Sequence, residues 1–380
     1  MKTALINHQL FDGENWHQDQ AVVLANGLID EIVPSNALSS DISVIDLNRQ
    51  TLAPGFIDIQ VNGGGGVLFN DMPTMDGLRT IAKAHRQYGT TGMMPTLITD
   101  DLDTMASCAN AVRSLVNDPR EGILGIHFEG PYLNPKRKGV HDERRIRPVE
   151  EEGLDLYFAK DLGVVIVTAA PETVTPGTIK RLADADIKIC AGHSAATFEQ
   201  IDDALGEGLR GFTHLFNAMS PMESRAPGVV GAALASADTW CGIIVDGHHV
   251  HPGSVQVSIS AKPRGKMVLI TDAMPSVGAD NKNFTLQGRA VTVADGRCIT
   301  DDGTLAGSDL DMISAVRNTT QMTNCDLGEA LRMASLYPAE FLELEDKLGR
   351  IRSGYRADLV AFDEDFRVNQ TWVAGSPSTH

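Results

Sequence analysis

The sequence predicts an α/β protein, a (β/α)8 TIM barrel carrying a small β-sandwich-like domain built from both termini. Three observations carry that expectation. Apolar runs of strand length recur eight times through the middle of the chain. Helix-like segments with apolar spacing of about 3.6 lie between them, and the two ends read as short strands broken by polar turns.

The runs are GFIDIQVN from Gly55, TGMMPTLIT from Thr91, GILGIHFEG from Gly122 and GVVIVTAAP from Gly163, then IKICAGHS from Ile187, GFTHLFNAM from Gly211, CGIIVDGHHV from Cys241 and KMVLITDAM from Lys266. Their apolarity is continuous rather than alternating, which suits strands covered on both faces, as in a parallel sheet. MDGLRTIAKAHRQYG (Met75 to Gly89) and TFEQIDDALGEGL (Thr197 to Leu209) carry the helical period. A doubly wound open sheet is the competing fold, but no Gly-x-Gly-x-x-Gly turn follows the first strand.

TALINHQL, AVVLANGLIDEIV and SVIDL near the start, and YRADLVAFD near the end, assign residues 1–52 plus 345–380 to the small β-domain and 53–344 to the barrel. Between Asn281 and Gly303, NFTLQGRAVTVADGRCITDDG reads as hairpins inserted after the eighth strand.

With 380 residues and 42% hydrophobic content, the chain can bury a large core. A formal charge of −18 provides no basic field for a polyanion, so neither nucleic acid nor an anionic membrane surface is expected as a partner. A phosphorylated small molecule stays open, since a few local cations suffice for it. The five cysteines are dispersed and form no Cys-x-x-Cys pair, which fits a reducing cytoplasm. The opening MKTALINHQLFDGENW lacks the features of a signal peptide, and no apolar run approaches the ~18 residues of a membrane span.

Catalytic side chains of such barrels sit at the C-terminal ends of the strands. The third run ends in His127-Phe-Glu129, the fifth in Gly192-His193-Ser194, the sixth in Thr213-His214-Leu-Phe-Asn217 and the eighth in Thr271-Asp272-Ala273. Any one of these histidines alone reads as a hydrogen-bonded buried residue. A carboxylate and two imidazoles on one rim, Glu129, His193 and His214, instead form a ligand set for one divalent ion with a position left for water. Zinc and iron(II) suit it readily; cobalt and manganese stay open. Asp272 is then the candidate to exchange protons with that water and a leaving group. Its bland reading is a helix N-cap, which Pro275 and Gly278 weaken. His127 shares Glu129's side of the strand and is expected behind the ligands or in a structural role.

HFEGPYLNPKRKGVH, AGHSAA, THLFNAMSPMESRAPG, DGHHV and ITDAM, in this order and spacing, closely resemble the N-acetylglucosamine-6-phosphate deacetylases of the amidohydrolase superfamily. The resemblance runs from PGFID at Pro54 to YRADLV. It implies that Glu129, His193 and His214 are metal ligands and Asp272 the catalytic aspartate. His141 matches a histidine that contacts the acetyl carbonyl, and Asn217 and Ala218 match substrate-binding positions. Arg225 and His249 match phosphate-binding residues that reach the site from the neighbouring subunit of a homodimer. The register alone separates His249 from His248 and His251.

The implied reaction is hydrolysis of N-acetylglucosamine 6-phosphate to glucosamine 6-phosphate and acetate. Rival readings are a deacetylase for N-acetylgalactosamine 6-phosphate, a ring-opening amidohydrolase, and an inactive scaffold of the same fold. Many amidohydrolases end their first barrel strand in His-x-His, which holds a second metal. Gln60 and Asn62 stand there instead, and a neutral carboxamide oxygen is a poor zinc ligand. One metal is therefore expected, with Gln60 and Asn62 bonding its water or filling a vacated site. Gly63 to Gly66 either clear space beside a ligand or form a mobile rim.

Overall fold

The computed structural model describes residues 2–380. Eight parallel strands form the central sheet in sequential order: β1 Phe56–Val61, β2 Thr90–Ile98, β3 Gly125–Glu129, β4 Val164–Ala169, β5 Lys188–Ala191, β6 Gly211–Phe212, β7 Trp240–Ile243 and β8 Met267–Leu269. Six lie within the apolar runs, and β2 and β7 begin one residue before theirs, at Thr90 and Trp240. Past the end of β8 the chain closes back on β1: Asp272 N donates to Gln60 O at 3.0 Å and Asn62 N to Ala273 O at 3.0 Å. The ring is thereby shut at the rim that carries the polar residues.

The registers Ile98↔Glu129 and Glu129↔Thr168 set the strand ends level, so Glu129 emerges between β2 and β4. Pro95, which cannot donate to a ladder, sits where the β1–β2 register shifts between Met93 and Pro95. Helices cover the outside of the barrel. Met75–Arg86 starts on Thr74, whose side chain accepts from Gly77 N, and Phe198–Gly206 starts on a capping box made by Thr197 and Gln200. Buried side chains from barrel and helices make one continuous core that includes Phe56, Met94, Phe128, Val167, Phe212 and Phe341.

Two smaller sheets come from the chain ends. One orders its strands Leu28–Pro34, Gln20–Ala25, Thr3–Ile6, Ser43–Asp46; the other joins Gln9–Phe11 and Thr51–Pro54 to the C-terminal strands Leu359–Phe362, Val368–Val373 and Ser376–Thr379. Leu5, Val22, Ile29, Leu52, Leu359 and Trp372 share a core of their own. We propose the division 1–52 with 345–380, and 53–344, on that separate core. The hairpins after β8 are a four-stranded antiparallel sheet, Phe284–Leu286, Arg289–Ala294, Arg297–Thr300 and Leu305–Ser308, packed through Leu286, Val291, Cys298 and Ala306 on Ile98 and Met274 of the rim.

The glycine run is neither a mobile rim nor a clearance beside the cavity. Gly63 and Gly64 pair with Val67 and Leu68 in a tight hairpin. Gly65 N and Gly66 N donate to Val277 O and Pro275 O, at 2.7 and 2.8 Å, so the hairpin is fastened to the segment after β8. A Cβ on Gly63 would stand 2.4 Å from Val67 O and 2.9 Å from Pro275 N, which only glycine avoids.

Candidate active site

At the C-terminal end of the barrel, a cavity of about 360 Å³ is lined by Asn62, Glu129, His141, His193, His214, Asn217, Ala218, His249 and Asp272, with Ile98, Val140, Met274 and Leu305 among its apolar walls. Burial of polar side chains at the tips of apolar strands is costly unless they answer one another or a ligand, and here three of them converge on one point. Glu129 Oε1 lies 3.1 Å from His193 Nε2 and 2.9 Å from His214 Nε2, and the two Nε2 atoms are 3.0 Å apart.

Three atoms in mutual contact, two imidazole nitrogens and one carboxylate oxygen, cannot all be satisfied by hydrogens alone, since every choice of protonation leaves at least one pair with two lone pairs or two hydrogens facing each other. A cation between the three atoms resolves the conflict, so the donor set fits a divalent metal. Glu129, His193 and His214 are the group of buried ligand atoms among the described residues that could hold one. Burial favours the neutral acid, but the two imidazoles outweigh it and hold Glu129 well below the usual carboxylate range.

The backbone here is strained in a consistent way. His193, His214 and Asp272 have φ of 49, 32 and 54°, and Phe216 and Ala218 have φ of 79 and 51°. Non-glycine residues adopt this region at a cost of about 1–3 kcal/mol each, which the surrounding structure must offset. For Asp272 the positive φ and the absence of a following helix rule out the N-cap reading.

Asp272 Oδ1 accepts from Asn62 Nδ2 at 2.6 Å and from Gln60 Nε2 at 3.1 Å; Gln60 Nε2 also lies 3.3 and 3.2 Å from the two oxygens of Glu129. Gln60 therefore bridges the two carboxylates of the site, and Asn62 holds Asp272 alone, a use more specific than filling space. Burial first, and then the charge of Glu129, raise the Asp272 carboxyl to about 6.

His141 is held by Thr99, whose hydroxyl lies 2.8 Å from Nδ1 and whose N–H points at the same atom at 3.3 Å. With Nδ1 accepting, the ring proton sits on Nε2. Burial, followed by the neighbouring His193, pushes its pKa down to about 3, so it is a neutral donor. His127 lies behind the cavity, with Nδ1 3.0 Å from Ile59 O and Nε2 2.7 Å from Thr168 Oγ1, itself 2.6 Å from Thr213 Oγ1. Nδ1–H must donate to the carbonyl, so Nε2 accepts from Thr168, which in turn accepts from Thr213. This directed chain lies directly beneath Glu129 and His214.

Sequence reading gave no role to Thr99, Thr168 and Thr213, although each lies within one residue of a strand end and the strand-end rule points to all three. It also missed Thr304, Leu305 and Gly307, which the inserted sheet contributes to the cavity wall. Arg225 is exposed and stands outside this cavity, without a carboxylate partner among the described residues. His249 is placed within its own chain. Its side chain is 5% exposed, bonded through Nδ1 to Asp246 Oδ2 at 2.6 Å, and lines the cavity of its own chain.

A (β/α)8 barrel whose rim gathers one carboxylate, two imidazoles and a further aspartate from β8 is the architecture of an amidohydrolase. Residues 51–377 match the amidohydrolase family and residues 3–52 the NagA composite domain. An N-acetylgalactosamine-6-phosphate deacetylase of Shewanella sp. (strain ANA-3) is 47% identical over 87% of this chain and 83% of its own length. The N-acetylglucosamine-6-phosphate deacetylase of Haemophilus influenzae is 35% identical over 99% of both. The crystal structure of the N-acetylglucosamine-6-phosphate deacetylase from Pasteurella multocida superposes with a TM-score of 0.96 over the whole of both chains, at 36% identity. The chain belongs to the amidohydrolase family, in its N-acetylglucosamine-6-phosphate deacetylase branch.

Proposed function

We propose that the protein hydrolyses the acetamide of N-acetyl-D-glucosamine 6-phosphate, releasing D-glucosamine 6-phosphate and acetate in the recycling of amino sugars. The observation that carries this reading is the convergence of Glu129, His193, His214, His141 and Asp272 on one cavity in a chain of this family. We take one ion per chain, held by Glu129, His193 and His214, and zinc as that ion; the donor set also accepts iron(II), cobalt or manganese. Bound there, the ion supplies Lewis acidity toward the acetamide oxygen and toward water.

Asp272 accepts the proton of the attacking water and passes it to the amine nitrogen as the C–N bond breaks. Its Oδ1 is taken up by Asn62 and Gln60, which leaves Oδ2 for that proton. His141 donates from Nε2 to the developing oxyanion. Asn217 and Ala218 orient the sugar, and Gln60 and Asn62 occupy the positions where a second metal would need imidazoles. The phosphate is gripped by His249 of the same chain and by Arg225 of a neighbouring subunit in a homodimer. What supports the latter is the separation of Arg225 from its own cavity and the fork of donors a guanidinium offers a dianion.

The cytoplasm is the compartment we assign, on five free cysteines of which four are buried. No helix among the described residues is long and apolar enough to cross a membrane.

The test is acetate release after reconstitution with each metal in turn, measured on both hexosamine epimers. Faster turnover of the glucosamine derivative supports the proposal. Preference for N-acetylgalactosamine 6-phosphate favours the second reading, which the 47% identity to the Shewanella deacetylase supports. No release from either, with metal bound, would reject both.

A further inference from the structure

Glu172 lies in the short turn Pro171–Thr173 after β4, outside the cavity lining, yet its carboxylate ties together the two loops that present His193. Oε1 accepts from Asn134 Nδ2 at 2.8 Å and from Ala195 N at 2.6 Å; Oε2 accepts from Ser194 Oγ at 2.7 Å. Asn134 lies within the loop after β3, whereas Ser194 and Ala195 follow His193 directly.

Those loops also hold His193 itself. Asn134 N donates to His193 O at 3.0 Å, and His193 Nδ1 lies 2.8 Å from Arg137 O. A carbonyl accepts only, so the ring proton must be on Nδ1, and Nε2 keeps its lone pair toward Glu129. The Arg137 carbonyl is aimed by the turn Pro135–Arg137, which Asn134 starts by accepting from Lys136 N through Oδ1 at 2.9 Å. Because Oδ1 faces Lys136, Nδ2 must face an acceptor, and Glu172 is that acceptor. One carboxylate thus stabilises the positive-φ backbone of His193 from its C-terminal side and the tautomer of its ring from the other.

We propose that Glu172 is a positioning residue that sets the tautomer and aim of His193, and thereby the metal affinity of the site, without touching substrate. This rests on the reading that Glu129, His193 and His214 hold the ion. Outer partners of metal-bound histidines typically contribute about 10–100-fold in affinity.

The experiment measures zinc affinity by competition with a chromophoric chelator, together with the visible spectrum of the cobalt(II)-substituted protein. Wild type, Glu172→Gln, Glu172→Ala and Asn134→Ala are compared after their metal-free forms are shown to melt cooperatively. Glu172→Ala is expected to bind zinc about 10–100-fold more weakly and to shift the cobalt bands. Glu172→Gln keeps one acceptor oxygen for Ala195 and Asn134 and should fall between. Should Glu172→Ala not fold, Asn134→Ala and Glu172→Gln still report the same direction. Folded variants with wild-type zinc affinity and an unchanged cobalt spectrum would overturn the inference. A wild-type chain that binds no zinc or cobalt would instead sink the metal reading on which it rests.

Discussion

Asn62 and Asp272, at the ends of the first and last barrel strands, are joined by a hydrogen bond of 2.6 Å from the Asn62 amide to Asp272 Oδ1. Both strands are also paired there through the backbone, so the side-chain bond adds to the closure of the barrel. Asn62 can donate only from Nδ2, which favours the ionised form of Asp272 against the effect of its burial. A proton acceptor poised in this way is both available and basic, because its pKa is raised toward the working pH.

Asp272→Asn removes that acceptor with little change in shape. Turnover should fall by about 100- to 10,000-fold while the metal content stays at the wild-type level. Steady-state acetate release paired with elemental analysis checks both halves. A metal-loaded variant with the wild-type rate would take Asp272 out of the chemistry.

The metal content itself is expected to be one ion per chain, since Gln60 and Asn62 spend their donors on Glu129 and Asp272. Elemental analysis of protein purified without chelator should give about one equivalent. Stripping the ion should lower the melting temperature, because a ligand bound only by the folded chain stabilises it by mass action. Two tightly held ions, or a melting temperature indifferent to chelation, would contradict this.

Much of the site could be read in the sequence because Glu129, His193, His214 and Asp272 interrupt apolar runs at matched places, and a barrel has one rim on which such interruptions meet. Glu172 could not be found that way. It sits in an ordinary polar turn, and its partners Asn134, Ser194 and Ala195 become neighbours only when loops after three different strands are stacked side by side. The placement of His249 was equally hidden, since its bond to Asp246 and its position on the wall of its own chain's cavity depend on how the loop after β7 folds. The Gly63–Gly66 run named its own need for close approach, but not that Val67 and Pro275 were the atoms approached.

Arg225 gives a test of assembly that does not depend on a structure of the dimer. Arg225→Ala should raise KM for the phosphorylated substrate far more than for the unphosphorylated sugar. Mixed with Asp272→Asn under conditions that allow subunits to exchange, it should regain activity, because each mixed dimer has one site with both Asp272 and a neighbour's Arg225. Random exchange of equal amounts gives half mixed dimers, hence about a quarter of wild-type sites. If Arg225 acts within its own chain, the mixture stays as inactive as its components.

Asp58 makes the acid side of the stability profile informative. It is fully buried beneath Gln60, with Thr271 Oγ1 2.5 Å from Oδ2 and with Thr271 N and Gln60 N donating to Oδ1 at 3.3 and 3.2 Å. Desolvation raises its pKa to about 7 against those donors, from 3.8 in an unstructured chain. Between these values the folded protein keeps a proton that the unfolded chain has released, so this group's contribution to stability is fully present below pH ~3.8 and is lost as the pH climbs to ~7. About three pH units at ~1.4 kcal/mol each set an upper bound of ~4 kcal/mol. Asp58→Asn cannot ionise and retains an acceptor oxygen for the two N–H groups. The stability of wild type relative to this variant, from denaturant titrations between pH 4.5 and 7.5, should therefore fall as pH rises and level off above pH ~7. A difference that stays flat, or that grows with pH, would show that Asp58 is ionised in the folded protein throughout and that its hydrogen bonds outweigh its burial.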